Sequence, residues 1–550
     1  MTLTPLRATF APGSEIELEW ERPNAAAGVV EISHLDRRVI RQDIPAGTSR
    51  IVVPALPVGG YGVLARTAES GDGDWSAFDV LDDAFDRPRY GFVVAMTEDV
   101  DDVALVRNFR RNHLNIAQFY DWAYRHSELM PPQESYLDPL GQARTLSGVN
   151  ALARALAGAA VVPLGYTAVY GVGTDERDRW QDSLLLRADG EPYQFGEDFL
   201  LIVDPAERTW LAHYLDQLEA MMAGTDFAGF HLDQYGWPKR AVRKDGTRVD
   251  LAESFVALIA ALRKRLPQSR FMFNNVNDFP VELTAGTEQD ATYIEVWDPH
   301  SGLGDLGTLA LKARALRPGR PPILSAYLSC YSEGDPLRAD AAARLAMASI
   351  FSHGATHLLL GESGNVLVHA YYPNSKVLPA KSTGMFVRWY DFLVRYGDLL
   401  MDPAQQDVTE QFAGGVNEEF MFESGSGVVF STKAEPGTVW TRVVRTSRGF
   451  VVHLINLTGQ QDVTWDALKN EPTKLTGLAL RVIPVSTEQP VPFAADPDGE
   501  PGLKPLSVVP SSAGEFNPLT GAQTAITYAL PPLSSWLMVW LPDESTDDGR

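Results

Sequence analysis

At 550 residues the chain is too long for a single hydrophobic core, and two or three domains are expected. Lys plus Arg total 47 against 71 Asp plus Glu, and the net charge of −24 argues against nucleic-acid or membrane partners while leaving a neutral ligand unpenalised. A single cysteine, Cys330, excludes an intrachain disulfide and a Cys-based zinc site.

Met1 through Glu15 has no basic segment followed by an apolar run, and no stretch reaches the roughly 20 apolar residues of a membrane span. Cytoplasmic residence is the expectation, with secretion after removal of a leader as the alternative. Over residues 1–87 short strands are predicted at Ile16–Trp20, Val29–Ser33, Ile51–Pro54 and Tyr61–Ala65. Turn clusters at Pro57–Gly60 and Gly71–Asp74 separate them, and the pattern reads as a small antiparallel sandwich.

Residues 88–406 change rhythm, with short apolar runs alternating with segments of helical period. Eight strands are predicted: Tyr90–Ala95, Asn115–Tyr120, Val161–Ala168, Ala228–Asp233, Phe271–Asn275, Ala291–Trp297, Pro322–Tyr327 and Thr356–Gly361. Asp204 with Pro205 reads as the start of one helix, whose apolar stripe is Leu211, Tyr214, Leu215 and Leu218 and whose end is Gly224. Asp335–Pro336 opens another, and Ser382 opens the last, which Gly397 ends. Eight such units fit a (β/α)8 barrel; a doubly wound open sheet is the rival, weakened because no Gly-rich phosphate fingerprint follows a strand.

Residues 407–542 return to strands, at Gly427–Ser431, Val439–Arg445, Phe450–Leu457, Leu478–Pro484 and Ser535–Leu541, and suggest a second β-sandwich. Thr446–Gly449 reads as a hairpin loop, and the acidic tail 543–550 as disordered.

In a barrel of this kind the chemistry sits at the carboxyl ends of the strands. Polar groups gather there in Gln118–Trp122 with Tyr124 and His126, in Gly229–Gly236, Phe273–Asn275 and Tyr293–Trp297, and in Gly361–Asn365 with Tyr371–Asn374. Asp233 and Glu295 stand out because each terminates an otherwise apolar strand, where a carboxylate is costly unless paired or used. Glycoside cleavage needs such a pair, one group attacking or stabilising the anomeric carbon and the other protonating the leaving oxygen. A helix cap or barrel-mouth ion pair would suit Asp233 equally, and an arginine partner would suit Glu295. The 12 Trp and 18 Tyr agree with a sugar ligand, whose C–H faces stack on aromatic rings, although most aromatics fill cores. His231 shares a face with Asp233, His353 and His357 are spaced i, i+4, and Asp496–Glu500 is acidic, but none completes a metal motif. No metal or cofactor is expected.

Asn115–His126 (N-I-A-Q-F-Y-D-W-A-Y-R-H), Ala228–Gly236 (A-G-F-H-L-D-Q-Y-G), Tyr293–Trp297 (Y-I-E-V-W) and Gly361–Asn365 with Tyr371–Asn374 together resemble glycoside hydrolase family 66, the endo-dextranases and cycloisomaltooligosaccharide glucanotransferases. The resemblance covers the barrel motifs in order. It implies an immunoglobulin-like N-terminal domain, a (β/α)8 barrel, a C-terminal β-sandwich, and two-step retaining attack on α-1,6-glucosidic bonds. By the same resemblance Asp233 is the nucleophile and Glu295 the acid/base. Tyr120, Asp121, His126, Asn275, Trp297, Glu362 and Tyr371 fall in motifs that line the sugar pocket, whereas Trp122 and Tyr372 also suit packing.

The glucanotransferases of that family carry a binding module inserted in the catalytic region, and this chain has no spare stretch of that size. The resemblance therefore implies hydrolysis of linear or cyclic isomaltooligosaccharides or dextran, with imported oligosaccharide favoured over polymer. A transglycosylase with the same carboxylate pair is the first alternative. A non-catalytic glucan-binding protein is the second, disfavoured because both carboxylates are present.

Overall fold

The computed structural model describes residues 3–67, 73–483, 491–509 and 525–543. Part of the expected turn at 71–74, Pro484 and the tail 544–550 lie outside the described residues.

Eight strands form one parallel sheet in which each strand neighbours its successor. They are β1 (Tyr90–Val93), β2 (Ile116–Phe119), β3 (Val162–Ala168), β4 (Gly229–Asp233), β5 (Arg270–Val276), β6 (Ala291–Glu295), β7 (Ile323–Ser325) and β8 (Thr356–His357). A parallel bridge from Phe92 to Gly361, just beyond β8, brings the sheet nearly to closure. A Cβ at position 361 would run into the Phe92 carbonyl, so the closing contact requires glycine. Every residue of β1 and β2 is buried, as expected of a sheet covered on both faces.

The covering layer is α1 (Asp102–Arg111), α2 (Leu146–Gly158), α3 (Arg208–Gly224), α4 (Leu251–Arg265), the single turn α5 (Val281–Thr284), α6 (Leu303–Leu316), α7 (Pro336–Ser352) and α8 (Ala380–Arg395). Asp335 caps α7 through the Arg338 N–H with Pro336 in the first turn, as the sequence predicts. α3 starts later than Asp204. Asp204 and Glu207 close a turn first, and Glu207 then accepts from the Thr209 and Trp210 N–H groups. Its buried stripe is accordingly Trp210, Tyr214, Leu218 and Met221, with Leu211 and Leu215 only half-buried. α8 begins at Ala380 rather than Ser382, because the Ser382 hydroxyl is occupied by Asp340 and Pro379 stands at the cap position. It ends at Arg395, and Gly397 starts a separate turn.

Before the barrel, two antiparallel sheets enclose their own core, which includes Leu18, Trp20, Ile32, Val63 and Phe78. One contains Leu3–Pro5, Ile16–Trp20 and Arg50–Val53; the other contains Gly28–His34, Arg37–Ile44, Gly59–Thr67 and Asp74–Val80. The edge strand Arg37–Ile44 escaped the sequence pattern because its side chains are almost all exposed and charged residues punctuate it. Arg89, fully buried, ties this unit to the barrel by donating to Asp79 and to the carbonyls of Ala8, Arg87 and His113.

After the barrel, two further sheets share a second core. Val439–Thr446, Gly449–Asn456 and Trp536–Pro542 run side by side in one, and Phe420–Ser424, Leu478–Val482 and Ile526–Ala529 in the other. Thr446 and Gly449 face each other across the predicted hairpin loop. The strand expected from Gly427 is confined to Phe430–Ser431, because Gly427 adopts φ +74° in a preceding turn. No helix of the described residues is long and apolar enough to cross a membrane.

Candidate active site

Asp233 and Glu295 are the last residues of β4 and β6 and line a cavity of about 510 Å³. Side chains alternate across a strand, so register decides which neighbours enter this cavity together. Leu232 pairs with Phe273, Asn274 with Tyr293, and Val276 with Glu295. Asp233, Asn274, Tyr293 and Glu295 consequently face the same side, and all four line the cavity.

Asn274 lies between the carboxylates. Its Nδ2 donates to Oδ1 of Asp233 at 2.6 Å and to Oε2 of Glu295 at 2.8 Å. Those two oxygens therefore stand no more than about 5.4 Å apart, closer than the ~6.5–9.5 Å that leaves room for a water in inverting pairs. Each outer oxygen has its own phenol: Tyr166 donates to Oδ2 of Asp233 at 2.7 Å, and Tyr327 to Oε1 of Glu295 at 2.8 Å.

Burial raises the Asp233 carboxyl above its usual range, opposed by hydrogen bonds from Asn274 and Tyr166. Burial, and then the charge of Asp233, push Glu295 up to about 7. The charge of Asp233 adds to burial at Glu295, whereas hydrogen bonds from Asn274 and Tyr327 oppose the rise, so the pair resists ionising together. A third carboxyl, Asp121, is pushed up to about 8 by burial and then by Asp138 and Asp233, with Arg144 opposing. His231 lies among Tyr90, Tyr166 and Tyr293, with Nδ1 3.0 Å from the Tyr90 hydroxyl. Burial lowers it to about 3, so the ring is a neutral imidazole at the cavity wall.

Of the sequence-predicted binding residues, Tyr120, Asp121, His126, Trp297 and Tyr371 line the same cavity. Tyr120 stacks on Tyr372 at 4.2 Å, and Trp297, still 38% exposed, offers a ring face at the mouth. Tyr372 lines the cavity too, whereas Trp122 is fully buried with its indole on the Tyr166 carbonyl, a packing role. Two expectations are corrected. Asn275 points away from the cavity and is fully buried, donating to the carbonyls of Phe273 and Tyr293 and accepting from Thr284. Glu362 turns from the cavity to accept the backbone N–H groups of Val94 and Ala95 beyond β1.

Tyr166, Asn274 and Tyr327 were missed, as were Phe195 and Tyr235, which stack at 4.3 Å on the rim. Alternation within a strand does not choose between Asn274 and Asn275; the pairing of β5 with β4 and β6 does. His353 and His357 each engage a backbone carbonyl, of Ser349 and Ala326, and Asp496 closes a turn onto the Asp498 and Gly499 N–H groups. Among the described residues no group of three or more His, Cys, Asp or Glu could hold a metal ion.

The model of glycosyl hydrolase family 66 matches residues 6–540. Two cycloisomaltooligosaccharide glucanotransferases of Niallia circulans are 22% and 21% identical, over 88% and 97% of this chain. The chain spans 64% of the length of the first and 71% of the second. The alignment to the first extends over 641 positions, more than the 550 residues here, so that relative carries stretches without a counterpart in this chain. A cycloisomaltooligosaccharide glucanotransferase from Paenibacillus sp., solved with cycloisomaltoheptaose, superposes with a TM-score of 0.86 at 18% identity, over 98% of this chain and 99% of that one. The family match extends from the first sandwich through the barrel to the last strand of the second sandwich, and the chain belongs to glycosyl hydrolase family 66.

Proposed function

We propose that the protein is a retaining enzyme that transfers glucosyl units between α-1,6-linked glucans. The observation that carries the reading is the Asn274 amide held between Asp233 and Glu295 in an aromatic-lined cavity. In the first step ionised Asp233 attacks the anomeric carbon while protonated Glu295 gives its proton to the leaving glycosidic oxygen. A covalent glucosyl ester forms on Asp233 and the shortened chain departs. In the second step Glu295, now a carboxylate, takes a proton from the incoming hydroxyl, which displaces Asp233 with a second inversion. Asn274, Tyr166 and Tyr327 hold the two carboxylates in register without taking part in the bond changes. Trp297, two residues beyond Glu295, is suited to stack on the acceptor sugar.

The incoming hydroxyl separates transfer from hydrolysis. Transfer is the reading favoured by relatedness to glucanotransferases. Hydrolysis is the second reading, supported by the stretches of those relatives that have no counterpart here. A time course of products from an isomaltooligosaccharide of defined length tests the two. Longer or cyclic products that precede glucose-sized fragments support transfer, and fragments alone from the outset support hydrolysis.

A further inference from the structure

Beside the reaction cavity lies a second one of about 370 Å³, and the two share His126 and Phe199 as a common wall. Their rings meet edge to face with centroids 5.6 Å apart. Neighbouring residues of single loops open to opposite sides of that wall. Pro139 lines the second cavity and Leu140 the first, and on the hairpin after β3 Asp198 lines the second while Phe195 lines the first. The cavities are thus consecutive chambers of one trough built on the loops after β2 and β3.

The second chamber has a different chemistry from the first. Its walls are mainly polar, with Asp175, Glu176 and Asp198, the cation Arg125 and the ring of Tyr124; Asp138 borders it as well, with its carboxylate enclosed behind the wall. Asp138 is fully enclosed and fixed by Arg144 at 2.8 Å and by the N–H groups of Leu140 and Gln142. Glu176 is fixed by the Ser127 hydroxyl and the Gly173 N–H, and Asp175 pairs with Arg125 at 3.0 Å. Anchored carboxylates accept hydrogen bonds from hydroxyl groups without reorganising, and a tyrosine ring offers a face to sugar C–H groups. A wall of this sign rejects anions and accepts a neutral polyol.

We infer that this second chamber is a remote sugar-binding site, which holds glucosyl units of the donor chain beyond the His126–Phe199 wall. The inference rests on the proposed activity toward α-1,6-linked glucans. The donor assignment follows from position around the barrel, because the loops after β2 and β3 stand across the mouth from the end of β6, which carries Glu295, the group that protonates the leaving chain. Binding energy collected there would act only on chains long enough to cross the wall.

The test compares the unaltered enzyme with Thr174→Trp, which fills the chamber, and with Asp175→Asn, a mild change at an exposed side chain. Initial rates are measured on isomaltooligosaccharides of three and of seven glucosyl units. The expected result is a fall of about tenfold in the ratio of kcat/KM for the long chain to that for the short one in Thr174→Trp, and a smaller fall in Asp175→Asn. Unaltered ratios in a Thr174→Trp protein that turns over the short chain would overturn this inference alone. No turnover of either chain by the unaltered enzyme would overturn the proposed activity, and this inference with it.

Discussion

The side-chain nitrogen of Asn274 lies 2.8 Å from Oε2 of Glu295. The same nitrogen is 2.6 Å from Asp233, so one neutral amide serves both carboxyls and favours their ionised forms. Its removal raises both pKa values. The acid limb, set by ionisation of Asp233, and the basic limb, set by deprotonation of Glu295 near pH 7, must then move upward together. Asn274→Ala is expected to lower kcat by about 100-fold, the scale of losing one oriented donor. A pH profile of kcat/KM checks the shift, and a profile that moves downward or stays in place contradicts the role of the amide.

Asn275, one residue on, has the opposite expectation. Its amide sits among the carbonyls of Phe273 and Tyr293 and the Thr284 hydroxyl, away from the cavity. Asn275→Ala leaves these buried groups unsatisfied and is expected to cost ~1–3 kcal/mol of stability. Thermal unfolding and kcat together separate the neighbours: Asn274 acts on turnover, Asn275 on stability.

Glu295→Gln is expected to lower turnover of unactivated glucans by several orders of magnitude, on the order of the ~10²–10⁴-fold attributed to acid/base assistance or more. Azide should restore part of the rate on a substrate with an activated leaving group, because it needs no base to attack the ester on Asp233. The product would be a glucosyl azide of retained (α) configuration, because azide displaces Asp233 in the second of two inversions. No rescue, with an intact fold by circular dichroism, would move the acid/base role to another residue.

The docking of the first sandwich makes a prediction about stability. Asp398 accepts from Arg87 at 2.9 Å, from the Gly60 N–H at 2.7 Å, and lies 3.2 Å from His34. Burial would raise its carboxyl, but the His34 hydrogen bond and the Arg87 charge hold it well below the usual carboxylate range. A depressed folded pKa contributes stability that is present above the unfolded value and lost as pH falls through the folded one. Asp398→Ala should therefore cost ~3 kcal/mol at neutral pH, by leaving Arg87 without its partner, and progressively less in strong acid. Denaturant melts at neutral and acidic pH check both the size and the trend.

The barrel was legible because its strands are buried on both faces and read as apolar runs between amphipathic helices. Asp233 and Glu295 were legible as charges that end such runs. The rest of the site depends on which way a side chain points. The Asn274–Asn275 doublet offers two identical residues, and only strand register assigns one to the cavity. Glu362 stands in a motif at the barrel mouth, but a backbone conformation of φ +55° at Ser363 accompanies its turn toward the N–H groups beyond β1. Tyr166 sits on β3 and Tyr327 just beyond β7, in segments whose composition is otherwise that of core, so nothing in their type distinguishes a carboxylate donor from packing. The exposed strand Arg37–Ile44 has no apolar alternation to read, and the start of α3 was displaced by a turn that hides the true cap, Glu207.

The central claim is that Asp233 forms the covalent bond to glucose. The most direct measurement is incubation with a 5-fluoro-α-glucosyl fluoride, followed by proteolysis and mass spectrometry of the labelled peptide. A single hexosyl adduct on Asp233, absent from Asp233→Asn, is the predicted result. An adduct on another residue, or turnover of an α-1,6-glucan by Asp233→Asn at the unaltered rate, would contradict the account.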